Sequence, residues 1–376
     1  MKTICKADDC FGCLACLNTC PKDCISVSTD NNGFIRPIVD ESKCIECNRC
    51  VRACPANHQV TLNSPKNVYA GQMLNKGAAM ESTSGGLFQA LAIYILSVGG
   101  VICAARQEPD NSLHHVMVHN EDELRQCLKS KYYQSSVGSC YREIKDLLRN
   151  DIKVLFCGTP CQVAGLLSFL GKQYDGLLTC DLVCHGTPSK EVVDKYIADK
   201  EKEYHSKLTG IQFRDKKHGW AAMTMTMTFK NGKSYSETAG NDDFYFGFFH
   251  GLYYRQSCYA CPFAKSDRIG DITLGDFWGI EDTKTELDPS KGISLVLVNT
   301  EKGCDLLSKI KASISLESHT MEEAKKKNHN LNSPSRRNPN YDRFYALLDR
   351  HSLRQALFMS LPLRYIKFRL KHFLKK

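Results

Sequence analysis

The spacing of hydrophobic and polar residues changes near residue 65. Before that point the apolar residues form only brief runs, which predict two short strands at 25–27 and 33–39. After it, longer apolar runs alternate with amphipathic segments, as in an α/β fold. The polar, proline-containing segment 63–67 has the composition of a linker. The pattern therefore predicts a small domain at 1–63 that is followed by a larger body.

The body contains apolar runs that end in turn residues. These runs predict buried strands at 154–157, 177–184 and 294–298. Helices are expected from Cys161, from about residue 190 and after the last of these strands. Met and Thr alternate over 223–229 and Asn231-Gly232 follows, which predicts a β-hairpin with its methionines in the core.

One uncharged stretch, 86–105, is long enough to raise the question of a membrane span. Polar residues and the pair Gly99-Gly100 interrupt it. A convincing span needs a more continuous hydrophobic segment. We therefore expect a buried helix at about 85–97 and a strand at 101–104. The first residues of the chain lack the apolar region of a secretory signal peptide, which favours a cytoplasmic protein.

Cysteines are concentrated near the N-terminus, where ten of the twenty lie within the first 54 residues. Eight of these ten form two copies of a CxxCxxCxxxCP motif, offset by 34 residues. This is the spacing with which bacterial ferredoxins hold two 4Fe–4S clusters, the fourth cysteine of each motif ligating the other cluster. Zinc sites favour separate CxxC pairs instead. The expected ligands are Cys10, Cys13, Cys16 and Cys54 for one cluster and Cys44, Cys47, Cys50 and Cys20 for the other.

The two remaining N-terminal cysteines, Cys5 and Cys24, fall outside the motif, and Cys24 is expected to serve packing. Four cysteines of the body have surroundings that suit a metal ligand: Cys161, Cys184, Cys258 and Cys261. Spacing alone leaves three interpretations open, namely a third 4Fe–4S cluster, a structural zinc site or unrelated thiols. Cys157 and Cys180 are competing candidates, although their positions within strands predict burial.

Nucleotide-binding signatures are missing, since no GxGxxG motif follows a strand and no P-loop is present. Four blocks of the body nevertheless resemble the coenzyme F(420) hydrogenase/dehydrogenase beta-subunit family. They are GTPCQVAGL at 158–166, DLVCHGTPS at 181–189, RxxCxxC at 255–261 and GDITLGDFWG at 270–279. Ser84-Gly85-Gly86 is similar to the glycine-rich flavin region of that family. The likeness extends over about residues 1–325, including the N-terminal two-cluster domain of the bacterial branch.

The resemblance implies a fold and a set of domains. It implies an α+β ferredoxin-like two-cluster domain followed by an α/β flavin-binding body, to which the sequence adds a helical basic C-terminal tail. The domains expected are 1–63, the family's N-terminal region at 68–148, its C-terminal region at 149–325 and the tail at 334–376.

The resemblance also implies cofactors, namely FAD beside a third 4Fe–4S cluster on the four body cysteines. Arg255 and Arg268 flank the CxxC pair, where a guanidinium can bind a flavin phosphate. The residues expected to contact the flavin are Ser84, Gly85, Gly86, Thr159, His185, Arg255, Arg268 and Asp276. No catalytic acid or base is identified.

The expected function is that of an iron–sulfur flavoprotein oxidoreductase. A flavin accepts a hydride and releases single electrons, so it can join 4Fe–4S clusters to an organic substrate that the sequence does not identify. A redox partner protein or a small molecule would supply or accept the electrons. The alternative is a non-catalytic electron-transfer subunit of a larger redox complex, linked to surface-polysaccharide biosynthesis because related genes often lie near genes for that process.

The tail, 334–376, contains 11 Lys and Arg residues against two acids, and so carries the whole +9 net charge of the chain. Pro362 divides it into two helical pieces. One face of the second piece is apolar, with Leu363, Ile366, Leu370, Phe373 and Leu374. Such a helix suits an anionic membrane surface, an acidic partner or the body of the protein. No nucleic-acid motif accompanies the charge, so no nucleic-acid partner is expected, and the predicted location is the cytoplasm, at the inner face of the membrane.

Overall fold

The computed structural model describes residues 3–373, with side chains to residue 370. The N-terminal domain has two short helices, α1 (Ala15–Thr19) and α2 (Arg49–Arg52), and a hairpin of β1 (Ile25–Thr29) and β2 (Ile35–Val39). The sequence repeat is also a backbone repeat. Gly12 and Leu14 of the first motif have positive φ angles of 69° and 57°, and Glu46 and Asn48 of the second have 53° and 55°. These left-handed residues curl each cysteine loop tightly just before its helix.

The body is built from two sheets and the helices around them. Its strands are β3 (Asn67–Met73), β4 (Val101–Gln107), β5 (Leu113–Val118), β6 (Val154–Cys157), β7 (Leu177–Leu182), β8 (Leu208–Asp215), β9 (Thr224–Phe229), β10 (Ser234–Glu237), β11 (Ile272–Asp276), β12 (Ser294–Val298) and β13 (Ile314–Ser318). Its longer helices are α3 (Lys76–Glu81), α4 (Leu87–Ser97), α5 (Glu121–Cys127), α6 (Cys140–Arg149), α7 (Pro160–Leu170), α8 (Lys190–Tyr204), α9 (Asp243–Phe249), α10 (Glu301–Lys309), α11 (Met321–Lys327), α12 (Tyr341–Leu348), α13 (Leu353–Ser360) and α14 (Pro362–Phe373).

The main sheet has eight strands in the order β13-β3-β12-β11-β7-β6-β4-β5. Strands β4, β6, β7 and β11 are parallel to one another, whereas β5 and β12 are antiparallel to their neighbours β4 and β11. The carboxyl ends of the four parallel strands therefore lie along the same edge of the sheet. In open α/β sheets this edge is where ligands bind.

The second sheet, β8-β9-β10, packs with helices into an aromatic core. It contains the predicted hairpin, with Met225 and Met227 fully buried, while Met223 precedes the strand and is half-buried. The predicted helix and strand within 86–105 are α4 and β4. None of the helices in residues 3–373 is both long and apolar enough to cross a membrane.

The C-terminal region does not form a separate arm. It contains three described helices rather than two, and Phe344, Leu357 and Leu361 are buried in the aromatic core. Aromatic residues of this region explain the docking, since Tyr345 donates a hydrogen bond to the carbonyl of Tyr253 (3.2 Å). Residues 341–361 are thus part of the body, and only α14 keeps the character expected of the tail.

Helix α14 is attached along one face and open along another. The hydroxyl of Tyr365 donates to Asp243 (2.7 Å), which anchors the attached face. Leu363, Ile366 and Leu370, from the predicted apolar face, are 82%, 45% and 55% exposed. The Phe373 side chain and Leu374, which belong to the same predicted face, lie outside the described residues.

Candidate redox site

One cavity of the N-terminal domain is lined by the first three cysteines of the second motif together with the last cysteine of the first motif. The second cysteine set, as we call it, consists of Cys20, Cys44, Cys47 and Cys50. Cys24 lines the same cavity, and its sulfur lies 3.3 Å from that of Cys20. Cys24 is buried, as packing predicts, but it also brings a fifth thiol to this site.

The complementary first cysteine set is Cys10, Cys13, Cys16 and Cys54. Cys5 hydrogen-bonds to both Cys10 and Cys54, so this site also has an additional thiol. The hydrogen bond from Cys5 lowers the pKa of Cys10, and the nearby charges of Arg255 and Arg36 act in the same direction. In both sets the fourth cysteine of one motif lies among the first three of the other.

The third cysteine set, Cys161, Cys184, Cys258 and Cys261, lines a cavity of about 60 Å³ in the body. Cys161 is in the first turn of α7, Cys184 follows β7, and the other two lie in and just after the 3-10 helix Gln256–Ala260. Burial raises the pKa of Cys161 to about 12 and that of Cys261 to about 11. Metal binding releases such protons, because the ligand is the thiolate.

The first and third cysteine sets are close together. Cys13 packs against α7 at Gly165, where a Cβ atom would lie 3.0 Å from the Cys13 sulfur. Burial raises the pKa of Cys13, and the nearby Cys161 acts in the same direction. Glycine at position 165 therefore lets the ferredoxin-like domain approach the helix that begins at the third set. Within the described part of the chain, no three His, Cys, Asp or Glu side chains have the geometry of a single-ion site.

A larger cavity, of about 320 Å³, opens at the carboxyl edge of the parallel strands. It shares Thr159, Cys184 and His185 with the cavity of the third cysteine set. The predicted flavin contacts that line it are Ser84, Gly86, Thr159, His185 and Asp276. We call it the sheet-edge cavity. Its volume lies within the ordinary range of small-molecule sites.

Three of the predicted flavin contacts do not line this cavity. A Cβ atom on Gly85 would lie 2.1 Å from the carbonyl oxygen of Gly71, so this glycine is required for packing. Arg268 is buried in an ion pair with Asp181 (3.2 Å). Arg255 is turned towards the N-terminal domain and donates to the carbonyl of Cys10 (2.6 Å). In this structure both guanidiniums therefore make contacts away from the sheet-edge cavity, and their expected contact with a flavin phosphate stays a prediction.

The remaining expected contacts are held by their neighbours. Asp276 accepts hydrogen bonds from Arg214 (2.5 Å) and from the indole of Trp220 (2.8 Å). His185 lies 3.0 Å from the hydroxyl of Tyr254, and burial lowers its pKa to about 4. The backbone N–H of Thr159 donates to the Gln162 side chain (2.9 Å) at the start of α7. These contacts fix the cavity wall before any ligand binds.

His115 also lines the sheet-edge cavity, although it is not among the residues expected there. Its Nε2 lies 3.1 Å from the carbonyl oxygen of Cys157, and its ring stacks on Phe156. Because a carbonyl only accepts hydrogen bonds, Nε2 carries the proton and Nδ1 presents a lone pair. Nδ1 has no hydrogen-bond partner among the described residues, and burial lowers the pKa of the ring to about 4. No spacing in the sequence marks this residue, since its neighbours come from distant segments.

Cys157 itself departs from its expected burial, because it is half-buried and lines the sheet-edge cavity. Its position at the end of β6 explains this. Cys180, in the middle of β7, is buried as expected. Lys131 is a second residue of the cavity wall that was not expected there. It donates to the carbonyls of Cys127 and Leu128 (both 2.9 Å), and burial lowers its pKa to about 8.

The fold and the cysteine sites define an iron–sulfur protein of the oxidoreductase type, and comparison with known families agrees. Residues 9–58 and 36–85 each match a 4Fe–4S dicluster domain. Residues 68–141 match the N-terminal region of the coenzyme F420 hydrogenase/dehydrogenase beta subunit, and residues 151–324 match its C-terminal region. The chain belongs to the coenzyme F420 hydrogenase/dehydrogenase beta-subunit family.

Solved structures include a similar chain from the F420-reducing [NiFe] hydrogenase complex of Methanosarcina barkeri. The two are 17% identical with a TM-score of 0.47, and the match covers 74% of this chain and 97% of the other. No curated protein sequence matches the chain.

Proposed function

We propose that this protein is an iron–sulfur flavoprotein oxidoreductase. In this proposal the three cysteine sets hold 4Fe–4S clusters, a flavin, FAD, occupies the sheet-edge cavity, and electrons pass between the clusters and an organic substrate. The main observation in support of the proposal is that two cavities have lining residues in common. Thr159, Cys184 and His185 line both the site of the third cysteine set and the sheet-edge cavity.

The order of the cysteine sets supports a linear electron route. The second set is nearest the surface, since Ile45 in its wall is 56% exposed. The first set lies between it and the body, with Cys13 against α7. The third set borders the sheet-edge cavity. The three sets and the sheet-edge cavity therefore follow one another from the surface inwards.

The sheet-edge cavity has polar atoms that suit a flavin. Ser84 Oγ and His115 Nδ1, on residues of its wall, lack hydrogen-bond partners in the described structure, and a ligand with N–H or O–H groups would supply them. Gly86 precedes α4 with φ 89°, and no side chain caps the N–H groups that begin that helix. Such N–H groups favour an anionic group such as a phosphate. A flavin would supply the exchange between hydride and single-electron chemistry.

The direct test is cofactor analysis of protein that is purified anaerobically. We expect about 12 iron atoms, which is three 4Fe–4S clusters, and about one flavin per chain. Failure to bind any flavin under reconstitution conditions would overturn the flavoprotein assignment. Zinc in place of iron at the third cysteine set would favour a structural metal site in the body instead.

Substitutions in the cavity wall sharpen the flavin test. His115→Phe removes the Nδ1 acceptor while keeping a ring for packing on Phe156, so flavin binding is expected to weaken by about tenfold, or one hydrogen bond of 1.4 kcal/mol. His114→Phe, at the exposed neighbouring position, is the matched control. Flavin affinity is measured by fluorescence titration. Equal affinities of the two variants would show that the flavin does not bind in this cavity.

A second candidate function is that of an electron-transfer subunit in a larger redox complex, connected with surface-polysaccharide biosynthesis. Val27, Ile38 and Ile45 are exposed large apolar residues of the N-terminal domain and support this candidate, because a redox partner can bury them. Turnover of an organic substrate by the isolated chain with an artificial electron donor would contradict it. Co-purification with a second protein and no turnover alone would support it.

Helix α14 supports an association with the inner face of the membrane. Leu363, Ile366 and Leu370 are exposed, and Arg364 and Lys367 are exposed beside them. Apolar side chains flanked by basic ones favour an anionic lipid surface. Replacing the three apolar residues with Gln is expected to abolish binding to vesicles that contain anionic lipid. Leu74→Gln, at another exposed leucine, is the control, and truncation at 334 is unsuitable because residues 341–361 belong to the core.

A further inference from the structure

Arg255 joins the N-terminal domain to the third cysteine set. Its side chain is 2% exposed and donates to the carbonyls of Cys10 and Ile35 (both 2.6 Å). It also donates to the Gln134 amide oxygen (3.0 Å) and to the sulfur of Cys10 (3.4 Å). Three residues further along the chain is Cys258, whose N–H donates to the Arg255 carbonyl (2.9 Å).

The hydrogen-bond partners recorded for Arg255 are neutral groups and one thiol. None of them, within the described structure, is a carboxylate. An arginine does not lose its proton in a protein, and a buried charge without a counter-charge is costly. The Cys10 sulfur is thus the partner that can carry negative charge. Arg36, which also faces Cys10, is in contrast paired with Asp30 (2.7 Å).

We propose that Arg255 raises the reduction potential of the 4Fe–4S cluster that the first cysteine set holds and positions this cluster against the third cysteine set. The proposal rests on the clusters of the proposed function. One-electron reduction of a cluster adds negative charge to it and its thiolates. The adjacent guanidinium stabilises that charge, and its N–H group donates to a ligand sulfur, both of which favour the reduced form.

Consequently the first site, which lies at the interface with the body, is easier to reduce than it would be without Arg255. Ser257 strengthens the connection, because its hydroxyl donates to the carbonyl of Cys10 (3.1 Å). The Arg255 backbone N–H donates to the carbonyl of Thr187 (2.9 Å), a residue in the wall of the third site. A single residue therefore touches both cysteine loops.

The test is a redox titration of the anaerobic, metal-loaded protein, followed by the EPR signals of its reduced clusters. Arg255→Gln is expected to make reduction of one ferredoxin-type cluster at least tenfold less favourable, which corresponds to about 59 mV for a one-electron couple. Arg255→Lys keeps the charge and is expected to recover part of that loss. Unchanged midpoint potentials in Arg255→Gln at full iron content would overturn the proposal.

A second variant leaves Arg255 in place in case its removal impairs folding. In Gln134→Glu the side chain keeps the shape of glutamine. It places a carboxylate oxygen where the amide oxygen now accepts from Arg255 at 3.0 Å. The same cluster is expected to become harder to reduce, and an unchanged potential in this variant would also contradict the proposal. Arg142→Gln is the matched control, because Arg142 contacts the carbonyl of Cys20 (3.0 Å) but no thiol.

Iron content is measured on the same samples. Wild-type protein with fewer than about eight irons would contradict the cluster assignment itself. A full complement of iron with unaltered potentials would contradict the role of Arg255 alone. The two failures are therefore distinguishable.

Discussion

Two arginines, one on each side of the Cys258–Cys261 pair, are equally buried but differ in the charge of their partners. Arg268 and Arg255 are each 2% exposed. Arg268 faces Asp181, which is itself fully buried and also accepts the N–H of Gly270 (3.1 Å). Arg255 faces carbonyls, an amide and the Cys10 sulfur. One charge is neutralised within the body, and the other remains available to a neighbouring anionic group.

The difference indicates that burial alone does not assign a role to an arginine. A closed ion pair fixes backbone segments, here the end of β7 against the segment that leads into β11. An arginine without a carboxylate partner instead stabilises negative charge that develops beside it. The following predictions test this contrast, beginning with the largest expected effect.

Breaking the closed pair is expected to destabilise the protein most. Arg268→Gln leaves Asp181 buried without its counter-charge, which costs about 3–5 kcal/mol. The midpoint of thermal unfolding should fall accordingly, measured by circular dichroism. In the double variant with Asp181→Asn much of that loss should be recovered, since no charge is then left without a partner. A double variant as unstable as Arg268→Gln would show that the ion pair is not the cause.

His115 is buried like the two arginines, but burial keeps its ring neutral. Its pKa is about 4 in the folded protein and about 6.5 when unfolded, so the unfolded state binds the proton more readily. Stability is therefore complete above pH 6.5 and is lost as the pH falls towards 4, at up to about 1.4 kcal/mol per pH unit. His115→Gln should flatten the decline of the unfolding midpoint below pH 6.5. His185, whose pKa is also lowered by burial, keeps part of the decline.

The histidine prediction has an internal control. His114 is the exposed neighbour on the same strand, and His114→Gln should keep the pH dependence of the wild type. Equal pH dependence in wild type and His115→Gln would mean that this ring does not control acid stability.

The smallest effect is expected at Arg36, which also lies beside Cys10. Its charge is paired with Asp30, and its side chain is 20% exposed. Arg36→Gln should therefore shift the cluster potential in the same direction as Arg255→Gln but by less, because solvent and Asp30 already screen the charge. The measurement is the same EPR-monitored titration. A larger shift of the midpoint potential in Arg36→Gln than in Arg255→Gln would contradict the inference that Arg255 acts more strongly because it has no carboxylate partner.

Local patterns in the sequence were sufficient for much of the fold. The strands at 154–157 and 294–298 have the predicted bounds, because short apolar runs between turn residues have few other ways to be buried. The cysteine repeat belongs to the same class of signal, and the matches to dicluster domains agree with it.

Long-range contacts account for what the sequence could not predict. Asp181 and Arg268 are 87 residues apart, and Cys10 and Arg255 are 245 apart, so nothing local distinguishes the two arginines. The pairing of β3 with both β12 and β13 likewise joins segments that are far apart in the sequence. The charge of residues 334–376 predicts a basic helical tail, but the burial of α12 and α13 in the aromatic core makes both helices part of the body.

The central claim is that the third cysteine set holds a cluster beside the sheet-edge cavity. The measurement that tests it most directly is the iron content of Cys258→Ala/Cys261→Ala protein against Cys304→Ala, a half-buried cysteine outside all three sets. We predict about 12 irons per chain in the control and about eight in the double variant, with the ferredoxin-type EPR signals retained. Equal iron contents in the two proteins would contradict the account.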